Sequence, residues 1–142
     1  MNIDSIKNGI VIDHIEAGLG MEVYNFLKLD SLDCSVALIK NVFSKKTKTG
    51  KKDIIKIDQS INLDLDVLGY LVPNATVSLI KDGRTVDKFK VALPKILKNV
   101  IKCKNPRCIT SVDQGIEHEF KLVDEGKLVY RCIYCESKAK ED

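Results

Sequence analysis

Two short stretches, CKNPRC (Cys103–Cys108) and CIYC (Cys132–Cys135), separated by 23 residues, decide how this chain divides. Two close thiol pairs flanking a hairpin-length insert suit four thiolates converging on one tetrahedral Zn²⁺. Four sulfurs fill that shell and leave no position for a substrate, so the site reads as structural. All four cysteines lie in the last 40 residues. A segment that short buries little apolar surface, and a metal supplies the missing folding energy. The expectation is a small β-rich zinc domain over 99–142 with one structural zinc per chain. Its strands are expected near 118–124 and 127–133, joined at Glu125-Gly126.

Two other readings of these cysteines carry less. A redox dithiol at Cys132-Ile133-Tyr134-Cys135 belongs in a βαβ pattern, which this segment lacks. A nucleic-acid-binding zinc ribbon wants a basic, aromatic-rich hairpin. Here Glu117, Glu119, Asp124 and Glu125 stand beside Lys121, Lys127 and Arg131, a mixture better suited to a protein contact than to phosphate. His118, isolated in the sequence, reads as a satisfied surface or hairpin histidine, because the zinc already has four cysteines.

The whole chain has 142 residues, 44% of them hydrophobic, which permits one domain or two small ones with packed cores. Trp is absent and aromatics are 6%, so Ile, Leu and Val must make the core. The net charge of +3 is far from the basic bias of a dedicated nucleic-acid binder. No secretory signal opens the sequence, and no apolar run approaches the ~18–20 residues that span a bilayer. A cytoplasmic protein without membrane partners is expected, where thiolate–metal sites outlast disulfides. Cys34, in an apolar run, reads as a buried inert thiol.

Upstream of the cysteines the pattern alternates strands and helices. GIVIDHI (9–15) reads as a strand, and 18–29 as a helix with Met21, Tyr24, Leu27, Val23 and Phe26 on its apolar face. Residues 34–44 and 53–59 read as strands around a lysine-rich tip, KKTKTGKK (45–52). DLDVLGYL (64–71) reads as a helix capped by Asp64 and ended by Pro73. Residues 75–81 and 84–91 form strands about the Asp82-Gly83 turn. The order is β-α-β-β-α-β with an added strand. That predicts an α+β, ferredoxin-like domain over 1–93: one antiparallel sheet with two helices on one face. Pro94 opens a linker over 94–98. The tail SKAKED reads as a frayed end.

Few residues of this first domain suggest chemistry. Asp13-His14 could be an acid–base pair or a polar strand end. Lys56 and Lys88 interrupt apolar strands and could offer point charges to phosphates, or simply be solvated. The 45–52 tip reads as a solvated loop that could steer an anion. No Gly-rich phosphate loop, nucleophile triad or open metal position is present, so nothing assembles a catalytic site.

Taken in order, Gly9-Ile10-Val11-Ile12-Asp13-His14-Ile15, Lys52-Asp53-Ile54-Ile55-Lys56-Ile57, Pro73-Asn74-Ala75-Thr76-Val77, Leu93-Pro94 and the C-x4-C…C-x2-C-E ending resemble the regulatory chains of aspartate carbamoyltransferase. The resemblance runs nearly end to end. It implies a non-catalytic, allosteric subunit of an enzyme of pyrimidine biosynthesis. The first domain would bind nucleoside triphosphates, with ATP activating and CTP, sometimes with UTP, inhibiting. The zinc domain would dock on catalytic chains, and regulatory homodimers would bridge catalytic trimers. By the same resemblance Asp13 faces the ribose, His14 lies near the phosphates, Lys56 reaches ribose and base, and Lys88 holds phosphate. Ile6 and Val11 line the nucleotide, and Ile80 lies near the base. Asn105 and Glu136 match positions facing the catalytic chain. Ser78 and Gly83 stand where enterobacterial members carry asparagine and tyrosine, the arm before Ile3 is shorter, and Arg107 and Ser137 also differ.

Overall fold

A computed structural model describes residues 6–139. The chain separates into two compact units between Leu93 and Pro94.

In the first unit, β1 (Gly9–Glu16), β2 (Val36–Phe43), β3 (Lys51–Ile57), β4 (Thr76–Lys81) and β5 (Arg84–Lys90) form one sheet in the order β2-β3-β1-β4-β5. All neighbours are antiparallel. With α1 (Gly20–Phe26) after β1 and α2 (Leu65–Leu71) after β3, this is the ferredoxin-like arrangement with β5 appended at an edge.

Alternation sets the faces. Ile10, Ile12, Ile55, Ile57 and Val77 point to one side, where they are buried with Val23, Leu29, Leu68 and Val72 from the helical segments. Asp64 caps α2 as expected, its carboxylate accepting from the N–H groups of Asp66 (3.1 Å) and Val67 (3.2 Å). Such a cap contributes about 1 kcal/mol. Gly9 is required by close approach, since a Cβ there would lie 2.1 Å from the Ile57 carbonyl oxygen.

Several expectations are corrected. The first helix is shorter than 18–29. Lys28 turns left-handed (φ 56°), and a 3-10 turn over Leu29–Ser31 follows. Val23 is its fully buried residue, whereas Met21 and Phe26 are exposed. The lysine-rich tip is also shorter, because Lys51 and Lys52 already belong to β3. Cys34 is half-buried against the core.

The second unit has a three-stranded antiparallel sheet in the order β6-β7-β8, made of Ile96–Lys98, Glu119–Asp124 and Val129–Cys132. A one-turn helix, α3 (Ile109–Val112), follows Cys108. Residues 96–98 were expected to be linker. They pair with β7 instead, Leu97 opposite Phe120, and Leu97 is fully buried. Phe120 and Tyr130 complete this small core, with the Tyr130 hydroxyl donating to the Pro94 carbonyl. The start of the tail is held as well, since the Ala139 N–H donates to Tyr130 O at 2.8 Å. The arm before Ile3 and the last three residues of the tail lie outside the described residues. Among the described residues no helix is long and apolar enough to cross a membrane.

Candidate metal centre and anion-binding face

The sheet face turned away from α1 and α2 carries the polar candidates of the first unit. Register puts five of its residues in one row across the strands: Ala37 opposite Lys56, Lys56 opposite Val11, Val11 opposite Ser78, and Ser78 opposite Lys88. Ile80 lies one step along, opposite Gly9. Ile6 is buried and lies so near Gly9 that a Cβ added there would be 2.8 Å from its Cγ2.

Asp13 and His14 lie at the other end of β1, where the strand carries one extra residue. Between Ile12 and Ile15 β1 advances three residues while its partners, Ile55 and Asp53, advance two. His14 adopts a left-handed backbone (φ 58°), and its N–H turns onto Asp13 Oδ1 at 2.6 Å. Such bulges re-aim side chains at functional sites. The His14 Nδ1 is 3.2 Å from Thr76 Oγ1, and Asp13 Oδ1 pairs with Lys52 Nζ at 2.9 Å. Burial pushes His14 below its ordinary pKa; Asp13 pulls it up, but Lys52, Lys46 and Lys88 add to the depression. Burial alone would raise Asp13, yet the hydrogen bond from Lys52, the His14 N–H and the nearby charges outweigh it and hold the carboxyl below its usual value. This end of the face thus gathers basic groups around a neutral imidazole, an arrangement that attracts an anion.

In the second unit the four cysteines meet. Their Sγ atoms all lie within 4.8 Å of one another, with Cys103 to Cys135 at 3.5 Å and Cys108 to Cys132 at 3.7 Å. Thiolates about 2.3 Å from a tetrahedral ion stand roughly 3.8 Å apart, so this donor set fits one divalent cation. The Thr110 hydroxyl donates to Cys108 Sγ at 3.1 Å and lowers that thiol. Burial pushes Cys103 up to about 12. At Cys135 burial also raises the thiol, but hydrogen bonds from Ser137 and Asn105 prevail and bring it to about 6. The ion, when bound, neutralises thiolates that the buried site cannot otherwise hold.

The family models agree with this two-unit anatomy. Residues 1–92 match the allosteric domain of the aspartate carbamoyltransferase regulatory chain, and residues 95–142 match its metal-binding domain. The chain belongs to the family of aspartate carbamoyltransferase regulatory chains. The regulatory chain of Clostridium acetobutylicum is 54% identical over 136 residues, covering 96% of this chain and 92% of that one. That of Clostridium tetani is 50% identical over 137 residues, covering 96% and 94%. That of Bifidobacterium longum is 45% identical over 140 residues, covering 99% of each. The chain is therefore a non-catalytic regulatory subunit with an allosteric and a metal-binding domain.

Within this regulatory chain the remaining candidates separate by role. Asn105 is half-buried and braces the metal loop: its amide donates to Ser137 Oγ (3.3 Å), and its Oδ1 accepts the Arg107 N–H (3.0 Å). Glu136 is exposed with a left-handed backbone (φ 64°), and its carbonyl accepts from Arg131 Nη1 at 2.8 Å. His118 is half-buried, and its Nδ1 accepts the Cys103 N–H at 3.1 Å. Sequence reasoning gave no role to Lys52, Thr110 or Asp53. Lys52 and Asp53 stand in the quoted motif Lys52–Ile57, but in the sequence Lys52 reads as part of the lysine-rich tip and not as strand. Thr110, two residues after a ligand cysteine, carried the signal of a short hydroxyl donor.

Proposed function

We propose that this chain senses nucleoside triphosphates on its first unit and carries that signal to catalytic chains of aspartate carbamoyltransferase through its second. ATP, CTP and UTP are the proposed effectors in the regulation of pyrimidine biosynthesis. The observation that carries the reading is the cross-sheet row Lys56–Val11–Ser78–Lys88, with His14 and Asp13 at the bulged end of the same face. Lys88 and His14 would meet the phosphates, and Asp13 and Lys56 the ribose. Ile6, Val11 and Ile80 would line the base. Both lysines act as point charges, and no hydrolytic group accompanies them.

The metal is proposed to be zinc, one per chain, chosen by four thiolates. The hairpin and loop it holds would form the docking surface, with Asn105 and Glu136 at its edge, and the regulatory chains would pair as homodimers. Regulation requires only that a nucleotide bind one quaternary state better than the other, a coupling of roughly 1–3 kcal/mol.

The test is titration of ATP, CTP and UTP into a complex reconstituted with catalytic chains, read as aspartate saturation. Shifts in half-saturation are expected, and with Lys88→Ala they should need roughly 10–100-fold more nucleotide. Saturation curves indifferent to all three nucleotides would sink the reading, as would carbamoyl transfer by the pure regulatory chain.

A further inference from the structure

Asp53 is fully buried, the one charged side chain so placed among the described residues, and nothing in the proposed nucleotide contacts uses it. It sits on β3 facing the core, next to Lys52. Both neighbouring strands carry an extra residue at this level: β1 between Ile12 and Ile15, and β2 between Ile39 and Val42. Asp53 Oδ1 accepts the N–H of Asn41 from the β2 bulge at 3.0 Å. Its Oδ2 accepts the N–H groups of Gly18 (3.1 Å), in the turn that leaves β1, and Gly20 (3.0 Å), the first residue of α1. Lys52 meanwhile holds Asp13 of the β1 bulge at 2.9 Å. Two consecutive residues thus hold both bulges by their side chains.

We propose that Asp53 is a positioning residue for the bulged end of the sheet: it fixes the β2 bulge at Asn41 and the segment that follows β1 at Gly18 and Gly20, and so keeps Lys52, its neighbour, in place to hold Asp13 beside His14. The chemistry is that of one carboxylate satisfying three buried N–H donors with charge-assisted bonds. An asparagine has one acceptor oxygen. It can serve Asn41 or the two glycines but not both, and its NH₂ then faces a donor. The local geometry leaves no slack, because a Cβ at Gly20 would lie 2.7 Å from Asp53 Oδ2. A bulge that relaxes changes the alternation of the strand beyond it, and with it the face its side chains occupy.

The experiment compares Asp53→Asn, Gly20→Ala and a core control, Leu68→Ala, in the full chain. One readout is the NMR titration of the His14 ring without ligand; the other is ATP affinity by calorimetry, which rests on the nucleotide reading above. Asp53→Asn and Gly20→Ala are expected to move the His14 titration up toward the ordinary imidazole value of about 6.5 and to weaken ATP at least about tenfold. Leu68→Ala is expected to lower thermal stability while leaving both unchanged. A folded Asp53→Asn chain with the wild-type His14 titration and wild-type affinity overturns the proposal. If that variant does not fold, Gly20→Ala decides: wild-type behaviour there overturns the proposal, and altered titration upholds it. If the wild-type chain binds no ATP, the nucleotide reading falls, and the His14 titration alone decides the role of Asp53.

Discussion

Lys56 and Lys88 occupy one row of the sheet, three strands apart, with Val11 and Ser78 between them. At about 4.8 Å per strand the two backbones lie on the order of 14 Å apart. On the nucleotide reading proposed above, that span would separate two tasks along one extended ligand, with one ammonium for the sugar and base end and one for the phosphates. No contiguous motif announces this row, because the sheet assembles it from four strands.

The two lysines should therefore fail differently. Lys88→Ala is expected to weaken ATP and CTP by roughly 10–100-fold, the loss of a charge-assisted contact, and to flatten the preference for triphosphate over monophosphate. Lys56→Ala should weaken both but keep the phosphate-number preference. Calorimetric titration with mono-, di- and triphosphates separates the two. Equal loss across the phosphate series in both variants would contradict the assignment.

His14 gives a pH dependence whose sign can be worked out. Its folded pKa is depressed by burial and by the lysines around it, so the folded chain resists protonation. The unfolded chain then binds the proton first as pH falls below about 6.5, and stability drops with it. An anion beside the ring favours imidazolium, so nucleotide binding should take up a proton and tighten as pH falls toward the ordinary imidazole value of about 6.5. Calorimetry in buffers of different ionisation heats should show this uptake in the wild type and its loss in His14→Gln. Uptake that survives the substitution would place the proton elsewhere.

Where sequence reasoning succeeded, the determinants were local. Helix α2 follows from Asp64, a run of leucines and Pro73, all within ten residues. The cysteine spacing needed only a hairpin between two pairs. It failed where the cause was remote. The β1 bulge is held by Lys52 through Asp13, about 40 residues away in sequence, and no pattern within GIVIDHI announces an extra residue. The strand Ile96–Lys98 has three residues and exists because β7, more than 20 residues later, offers its edge. Met21 and Phe26 are apolar yet exposed, because α1 ends after two turns and buries a narrower stripe around Val23.

Gly9 offers a sharp test of packing. Substitution by alanine forces a Cβ to within 2.1 Å of the Ile57 carbonyl oxygen and 2.8 Å of Ile6 Cγ2. Backbone cannot yield as a flexible side chain does, so β1 and β3 must separate at this end. A loss of roughly 3 kcal/mol or more is expected, in the range of severe core mutations. Urea unfolding of the first unit's signal measures it. A Gly9→Ala chain as stable as wild type would show that the strand end is far looser than its contacts imply.

The metal centre carries the last prediction. The second unit rests on a core of little more than Leu97, Phe120 and Tyr130, and three of the four cysteines are themselves buried in it. Burial alone raises the Cys103, Cys132 and Cys135 thiols, and at Cys103 it prevails to about 12. A cation is needed to make all four anionic at once. Small zinc modules draw on the order of 10–16 kcal/mol from the ion, more than such a core supplies. Stripping the metal, or Cys108→Ser, should therefore unfold residues 94–142 while the first unit, with its own core, keeps dispersed amide resonances. Acid should do the same, because protons compete for the thiolates, so metal is retained at neutral pH and released as pH falls. Metal analysis paired with heteronuclear NMR checks both statements. Dispersed second-unit resonances in a metal-free chain would mean that the fold, and not the ion, holds the four sulfurs together.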